Sequence, residues 1–281
     1  MVLPGQGRPA SDSLLGAMAE VQRRISRPIG IYDVTAHPNP TVRQARGHHD
    51  WDDEQERIWL NPNLSYEVQE AVAAHELAHV LQKAEGYCQT ASQRNKNGQP
   101  VMPEINLLGR SINSLVMDVM ADRWAAQRGF DIEGELRSDA LPKALGDVKR
   151  RNVGEQEAVD WNRYYSTLRN LAESIASGES IHGPLVLPAE VRTQIRAVGY
   201  ANLRLRLSPY NLFEDLDSLW MTYWPRAREL GIEIAALVER VGTGDRGLCE
   251  KAIIAVVEFL NIPPELIVVR RPDTQEIVWP E

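Results

Sequence analysis

The chain has 281 residues, of which 43% are hydrophobic and 25% charged, so it can bury a substantial core. This composition excludes a disordered or low-complexity fibrous protein. The formal net charge of −8 argues against direct nucleic-acid binding, because proteins that track phosphates present basic surfaces. The two cysteines are too few for a disulfide framework, and no apolar run approaches the ~20 residues that cross a bilayer. We therefore expect a soluble, cytoplasmic protein.

The N-terminal half combines amphipathic helices with short strands. The predicted elements in chain order are a helix over 11–27, a strand over 29–34, a loop over 37–56, a strand over 57–60, a helix over 65–83, an irregular segment over 86–103 and a helix over 109–128. Ser65 is a suitable N-cap for the helix that it precedes, and Gly129 is a suitable residue to end the last one. The N-terminal half therefore predicts a small sheet with helices.

The C-terminal half is predicted to be mostly helical. A charged, weakly apolar stretch at 147–154 predicts a domain boundary, which divides the chain into 1–147 and 148–281. The predicted elements beyond it are helices over 155–177, 212–241 with an interruption near Pro225, and 248–260, then a β-hairpin from 265–269 and 276–279. The fold class is thus α+β, with a mixed N-terminal domain and a helical C-terminal domain.

The segment from His75 to His79 has the pattern His-Glu-x-x-His on a predicted helix. Residues four apart lie on one helical face, so both imidazoles can reach one ion. Glu76 lies next to the first histidine, where a carboxylate can take a proton from a water bound to that ion. Zinc prefers nitrogen and carboxylate ligands in a tetrahedral array, and a catalytic site leaves one position open for water. The motif therefore predicts one catalytic Zn²⁺ per chain, with Glu76 as the general base.

A third protein ligand is expected from the predicted helix over 109–128. Asp118 and Asp122 lie four residues apart on one face of a mostly apolar helix. A buried carboxylate is costly unless it is paired or binds a metal. We predict Asp118 as the third ligand, because its neighbours in sequence are apolar, and Asp122 as a hydrogen-bond partner of a ligand histidine. The alternative, with Asp122 as the ligand, stays open.

Other histidines and tyrosines are weaker candidates. His48, His49 and Asp50 form a second possible metal-binding cluster, although a solvated loop is the favoured interpretation. Strand 57–60 precedes the motif helix and is either an edge strand that pairs with an extended substrate or an ordinary core strand. The candidates for stabilising an oxyanion are Tyr87, Tyr164, Tyr165 and His182, and the sequence does not choose among them.

Residues 10–130 resemble the zincin metallopeptidases, and among them the ImmA/IrrE-type family. The resemblance lies in the run Ile-Trp-Leu-Asn-Pro at 58–62, the motif helix Glu70–Gln82, and the segment Asp118–Ala126. The last segment is similar to the helix that carries the third ligand in that family, which usually offers glutamate where this chain has aspartate. The stretch between Gln82 and Asp118 is also long for the family.

The resemblance implies an intracellular zinc endopeptidase that hydrolyses a peptide bond in a protein substrate. Members of the family typically act on bacterial transcriptional repressors, so such a repressor is the expected kind of substrate. The alternative is a non-catalytic zinc-binding regulatory protein that acts through its C-terminal domain. Glu76 favours the enzyme, because a purely structural zinc site needs no general base.

Overall fold

The computed structural model describes residues 1–92, 102–150, 161–177 and 189–279. The elements in chain order are α1 Asp12–Ile25, β1 Ile29–Asp33, β2 Gly47–Trp51, β3 Glu56–Leu60, α2 Tyr66–Ala84, β4 Gln89–Ser92, α3 Pro103–Ala126, α4 Ile132–Glu135, α5 Leu141–Arg150, α6 Trp161–Ala176, α7 Ala189–Leu207, α8 Glu214–Tyr223, α9 Pro225–Val241, α10 Arg246–Phe259, β5 Ile267–Arg270 and β6 Ile277–Trp279. This content confirms the predicted α+β class.

The chain divides into two compact units, each built from separate stretches of sequence. Unit 1 contains Met1–Glu85 and Met120–Lys143, and unit 2 contains Gly86–Val119 and Ala144–Glu281. The break near Lys143 lies close to the predicted boundary at 147, whereas the breaks after Glu85 and within helix α3 have no counterpart in the prediction. The division into a catalytic domain over 1–147 and a C-terminal domain over 148–281 stays a prediction.

Unit 1 is organised around a three-stranded sheet in the order β1-β3-β2. Strand β3 pairs in parallel with β1 and antiparallel with β2. It is therefore a central strand, and of the two interpretations of segment 57–60 the structure supports the core strand. Helix α2 begins after Ser65, whose side chain accepts a hydrogen bond from the Val68 N–H at 3.4 Å. It packs against the sheet and helix α1, so its apolar side chains, such as Leu77, are fully buried.

Unit 2 combines packed helices with a second sheet. Helix α7 packs extensively on α9, and α10 also packs on α9. The predicted terminal hairpin is present as β5 and β6, and β4 adds to it in the order β4-β5-β6. The predicted long helix breaks as expected, since α8 ends at Tyr223 and α9 begins at Pro225.

The structure corrects two predictions that concern polar segments. The predicted loop over 37–56 contains strand β2, and the predicted irregular segment over 86–103 contains strand β4. Polar pairs hold β2: His49 contacts Glu56 at 2.7 Å and Asp50 accepts from Arg57 at 2.8 Å. The apolar alternation by which half-buried strands are predicted is therefore absent from β2. The predicted boundary stretch 147–154 lies in part outside the described residues.

Candidate metal centre

Along the central turns of helix α2, only the motif residues are partly accessible to solvent. From residue 71 to residue 82, only His75, Glu76 and His79 escape burial. The remaining side chains pack against the rest of unit 1, which fixes the rotation of the helix about its own axis. Hence the three polar residues share the one face that a ligand can reach.

The two motif histidines are both held with their Nε2 atoms directed toward each other. His75 Nδ1 lies 2.7 Å from Asp122 Oδ1, and His79 Nδ1 lies 2.7 Å from Gln82 Oε1. A carboxylate and an amide oxygen only accept, so each Nδ1 carries a proton, and in the neutral form of each imidazole the lone pair is then on Nε2. The two Nε2 atoms are 3.0 Å apart. Two lone pairs at this distance repel each other unless a cation lies between them.

Asp118 is the predicted third ligand. It lies on helix α3 one turn before Asp122, whose carboxylate contacts His75. Within unit 2, helix α7 contacts this carboxylate: Asn202 Nδ2 donates to it at 3.4 Å, and Arg206 lies 3.6 Å from it. Two imidazoles and one carboxylate are the donor set of many catalytic zinc sites, so these residues fit zinc.

Asp118 and Asp122 occupy different positions although both belong to helix α3. The Asp122 carboxylate contacts the outer nitrogen of His75, Nδ1, and Asp122 is only 6% exposed. Asp118 instead contacts Asn202 and Arg206 of helix α7. The contact of Asp122 with His75 is the one expected of a partner of a ligand, and the roles of both aspartates stay predictions.

Glu76 is half-buried beside the two histidines and contacts strand β2. It forms no hydrogen bond with any residue in the described ranges, so its oxygens are available to a water molecule. At Gly47 of β2, a Cβ atom would overlap Val72 and lie 3.0 Å from Glu76 Oε1. Burial lowers the pKa of His48, the next residue of β2, and the negative charge of Glu76 acts in the opposite direction. Strand β2 thus forms one wall beside Glu76.

A second histidine cluster, in which His37 takes the place of the predicted His49, has a geometry unlike that of a metal site. His37, His48 and Asp50 bring their potential ligand atoms within 4.8 Å of one another. However, His37 Nδ1 accepts the Asn39 N–H at 3.0 Å, so Nε2 carries the proton and donates to Asp50 at 3.0 Å. The inward nitrogen of His37 therefore has no lone pair for a metal. This cluster is part of a hydrogen-bond network in the sheet.

Sequence reasoning missed three features of the site. Gln82 follows His79 by three residues on α2, a spacing at which helical side chains meet, so it was detectable. Gly47 is notable only once β2 is known, and Asn202 comes from a distant helix. Among the oxyanion candidates, Tyr164 is buried and donates to Gln194 at 2.7 Å, and His182 lies outside the described residues.

Comparison with known protein families supports a metallopeptidase-type function in general. More particularly, residues 32–133 match the family model described as the IrrE N-terminal-like domain, a peptidase family. The match confirms the resemblance stated above, and it spans the candidate site residues His75, Glu76, His79, Asp118 and Asp122. Neither the curated proteins nor the solved structures contain a match to the chain. In the described ranges, no helix is long and apolar enough to cross a membrane.

Proposed function

We propose that the protein is an intracellular zinc-dependent endopeptidase that hydrolyses peptide bonds in a protein substrate. The observation that carries this proposal is the pair of His75 and His79 Nε2 atoms, 3.0 Å apart, with both Nδ1 atoms engaged by acceptors. A bound metal relieves the repulsion between the two lone pairs. The family resemblance leads us to propose a bacterial transcriptional repressor as the substrate.

The residues of the site have separate tasks in this mechanism. His75, His79 and Asp118 would hold the ion. When bound, zinc would supply Lewis acidity that polarises the substrate carbonyl and lowers the pKa of a water molecule to about 7. Glu76 accepts a proton from the attacking water and returns it to the departing amine. Asp122 and Gln82 keep the imidazoles in the tautomer that presents Nε2 inward.

The substitution Glu76→Gln separates an enzyme from a zinc-binding scaffold. It preserves size and removes the base, so the variant should keep one zinc per chain while hydrolysis falls by about 10²–10⁴-fold. Elemental analysis and cleavage of an unfolded protein or a candidate repressor are the two measurements. Glu67→Gln is the matched control, because it makes the same change at an exposed position of the same helix.

Three other results would count against parts of the proposal. Equal zinc content in wild type and His75→Ala would exclude the metal assignment. Equal cleavage rates in wild type and Glu76→Gln would exclude Glu76 as the base. If zinc-loaded wild type binds a partner protein but cuts no substrate, the protein is the zinc-binding regulatory protein that forms the alternative.

A further inference from the structure

A polar pocket lies in unit 2 between helix α3 and strands β4 and β5. Its volume is about 770 Å³, which falls within the range of about 300–1,000 Å³ that is usual for small-molecule sites. Its polar side chains include Thr90, Ser92, Asn106, Arg110, Asn113 and Arg270. We call it the Arg110–Arg270 pocket. It is distinct from the candidate metal centre, since the two share none of their residues.

The pocket owes its shape to a close approach of α3 to the sheet. At Gly109, an added Cβ would lie 2.8 Å from Thr90 Oγ1 and 3.3 Å from Ile267 Cδ1, so a larger residue would push the helix away. Two asparagines then attach α3 to β4. Asn113 Oδ1 accepts the Thr90 N–H at 2.9 Å, and Asn106 Oδ1 accepts the Ser92 hydroxyl at 2.9 Å.

These attachments determine which hydrogen-bonding groups remain for a ligand. Both asparagine oxygens are occupied, so their amino groups, which can only donate, are left at the pocket. The Arg110 guanidinium has no hydrogen bond or ion pair with any residue in the described ranges. Arg270 donates to the neutral Gln275 side chain at 3.0 Å. The pocket is therefore rich in donors.

The charge of the pocket is opposite to that of the protein. Its described lining contains two arginines and no carboxylate, whereas the whole chain has a formal net charge of −8. Arginine and amide donors together match the oxygens of a phosphate group, which arginine can bind in a bidentate manner. No aromatic side chain belongs to the described lining, so a nucleobase has no ring on which to stack. Hydroxyl groups of a sugar, in contrast, can pair with Thr90, Ser92 and the amides.

We propose that the Arg110–Arg270 pocket binds a phosphorylated sugar or a similar small polyol phosphate. The two arginines hold the phosphate, and the amide and hydroxyl groups of α3 and β4 hold the polyol. Because arginine–phosphate bonds are electrostatic, affinity should fall as salt concentration rises. This inference is independent of the proposed peptidase function, because it uses no residue of the metal centre.

Isothermal titration calorimetry on the full chain tests the proposal, with glucose 6-phosphate as the probe and glucose, inorganic phosphate and AMP as comparisons. We expect glucose 6-phosphate to bind more tightly than any of the three. Arg110→Gln and Arg270→Gln should each weaken it about tenfold or more, since each removes a charge-assisted interaction. The matched control is Arg226→Gln, which changes an arginine whose side chain is 67% exposed and pairs with Glu229, and which should leave affinity unchanged.

Several outcomes of these titrations would overturn the proposal. Absence of binding at millimolar glucose 6-phosphate overturns it, as does unchanged affinity in the Arg110→Gln Arg270→Gln double variant. Tighter binding of AMP, or equal binding of inorganic phosphate, overturns the assignment to a sugar phosphate. Circular dichroism and the thermal midpoint of each variant should match wild type, because both arginines are exposed and make no ion pair in the described ranges.

Discussion

Replacing Asp122 should weaken zinc binding without abolishing it. The Asp122 carboxylate accepts the Nδ1 proton of His75 at 2.7 Å in a buried position. Loss of this acceptor leaves a buried N–H unpaired and lets the imidazole adopt the other tautomer, whose Nε2 carries a proton and cannot bind metal. We expect Asp122→Ala to weaken zinc affinity by about 10–100-fold, which corresponds to about 1.4–2.8 kcal/mol.

Gln82 provides an internal comparison for Asp122. Its amide oxygen accepts from His79 at the same distance, 2.7 Å, and Gln82 is likewise buried, at 4% exposure. The two acceptors therefore differ chiefly in charge. A charge-assisted hydrogen bond is roughly twice as strong as a neutral one, so Gln82→Ala should weaken zinc affinity less than Asp122→Ala does.

Competition with a chromophoric zinc chelator measures both affinities on the same scale. Far-ultraviolet circular dichroism of the two variants verifies that helices α2 and α3 remain folded. If Asp122→Ala binds zinc as tightly as wild type, Asp122 does not fix the metal-binding tautomer of His75. If Gln82→Ala has the larger effect, the charge of the acceptor is irrelevant.

Three further predictions concern neighbouring positions. Asp118→Ala should lose most of the zinc and Asp118→Glu should retain it, as measured by elemental analysis; retention by Asp118→Ala would give the ligand role to another residue. Gly47→Ala should lower peptidase activity at least tenfold while zinc stays bound, because the new Cβ would overlap Val72 and crowd Glu76 on the same helix. The assay is cleavage under saturating zinc, and unchanged activity would contradict this prediction. Asp50→Asn should lower the free energy of unfolding at pH 7 by about 1 kcal/mol, as measured by urea denaturation. In the folded protein the pKa of the Asp50 carboxyl is about 2, below its usual value, so the stability that this carboxylate contributes is lost as the pH falls toward 2. The difference in unfolding free energy between wild type and Asp50→Asn should therefore shrink between about pH 4 and 2. A difference that stays constant over this range would contradict the prediction.

The low pKa of Asp50 results from competing effects. Burial alone would raise the pKa of the Asp50 carboxyl. The hydrogen bonds from Trp59 and Arg57, together with the contact to His37, favour the charged form and lower the pKa to about 2. A depressed pKa in the folded state contributes stability above the pKa of the unfolded state, and this sign underlies the expected pH dependence.

The candidate site was largely predictable because its information is local. His75, Glu76 and His79 lie within five residues of one helix, and helical periodicity alone places them on a common face. The placement of Asp118 and Asp122 required a further inference from the cost of burying carboxylates in an apolar helix. The predicted site residues are therefore recognisable from their near neighbours in sequence and from the cost of burying charge.

The missed features depend on tertiary contacts between distant residues. Strand β2 carries the sequence Gly-His-His-Asp-Trp, whose strand character comes from pairing with β3 rather than from its own propensity. The contact of Asn202 with Asp118 joins positions 84 residues apart. Nothing in the local sequence of α7 indicates which helix its polar face contacts, so this part of the surroundings of Asp118 required the structure.

The charges around the motif favour a divalent cation over a proton between the two histidines. Within unit 1, Asp122 lies 2.7 Å from His75 and Glu76 lies next to it on the helix, and these two carboxylates contribute two negative charges. The ionised side chains therefore carry a net charge of about −2 when both imidazoles are neutral. A shared proton would neutralise one of these charges, whereas a divalent cation neutralises both. Since uncompensated charge is costly in a half-buried site, we expect the residues that direct their lone pairs toward each other also to prefer a doubly charged ion.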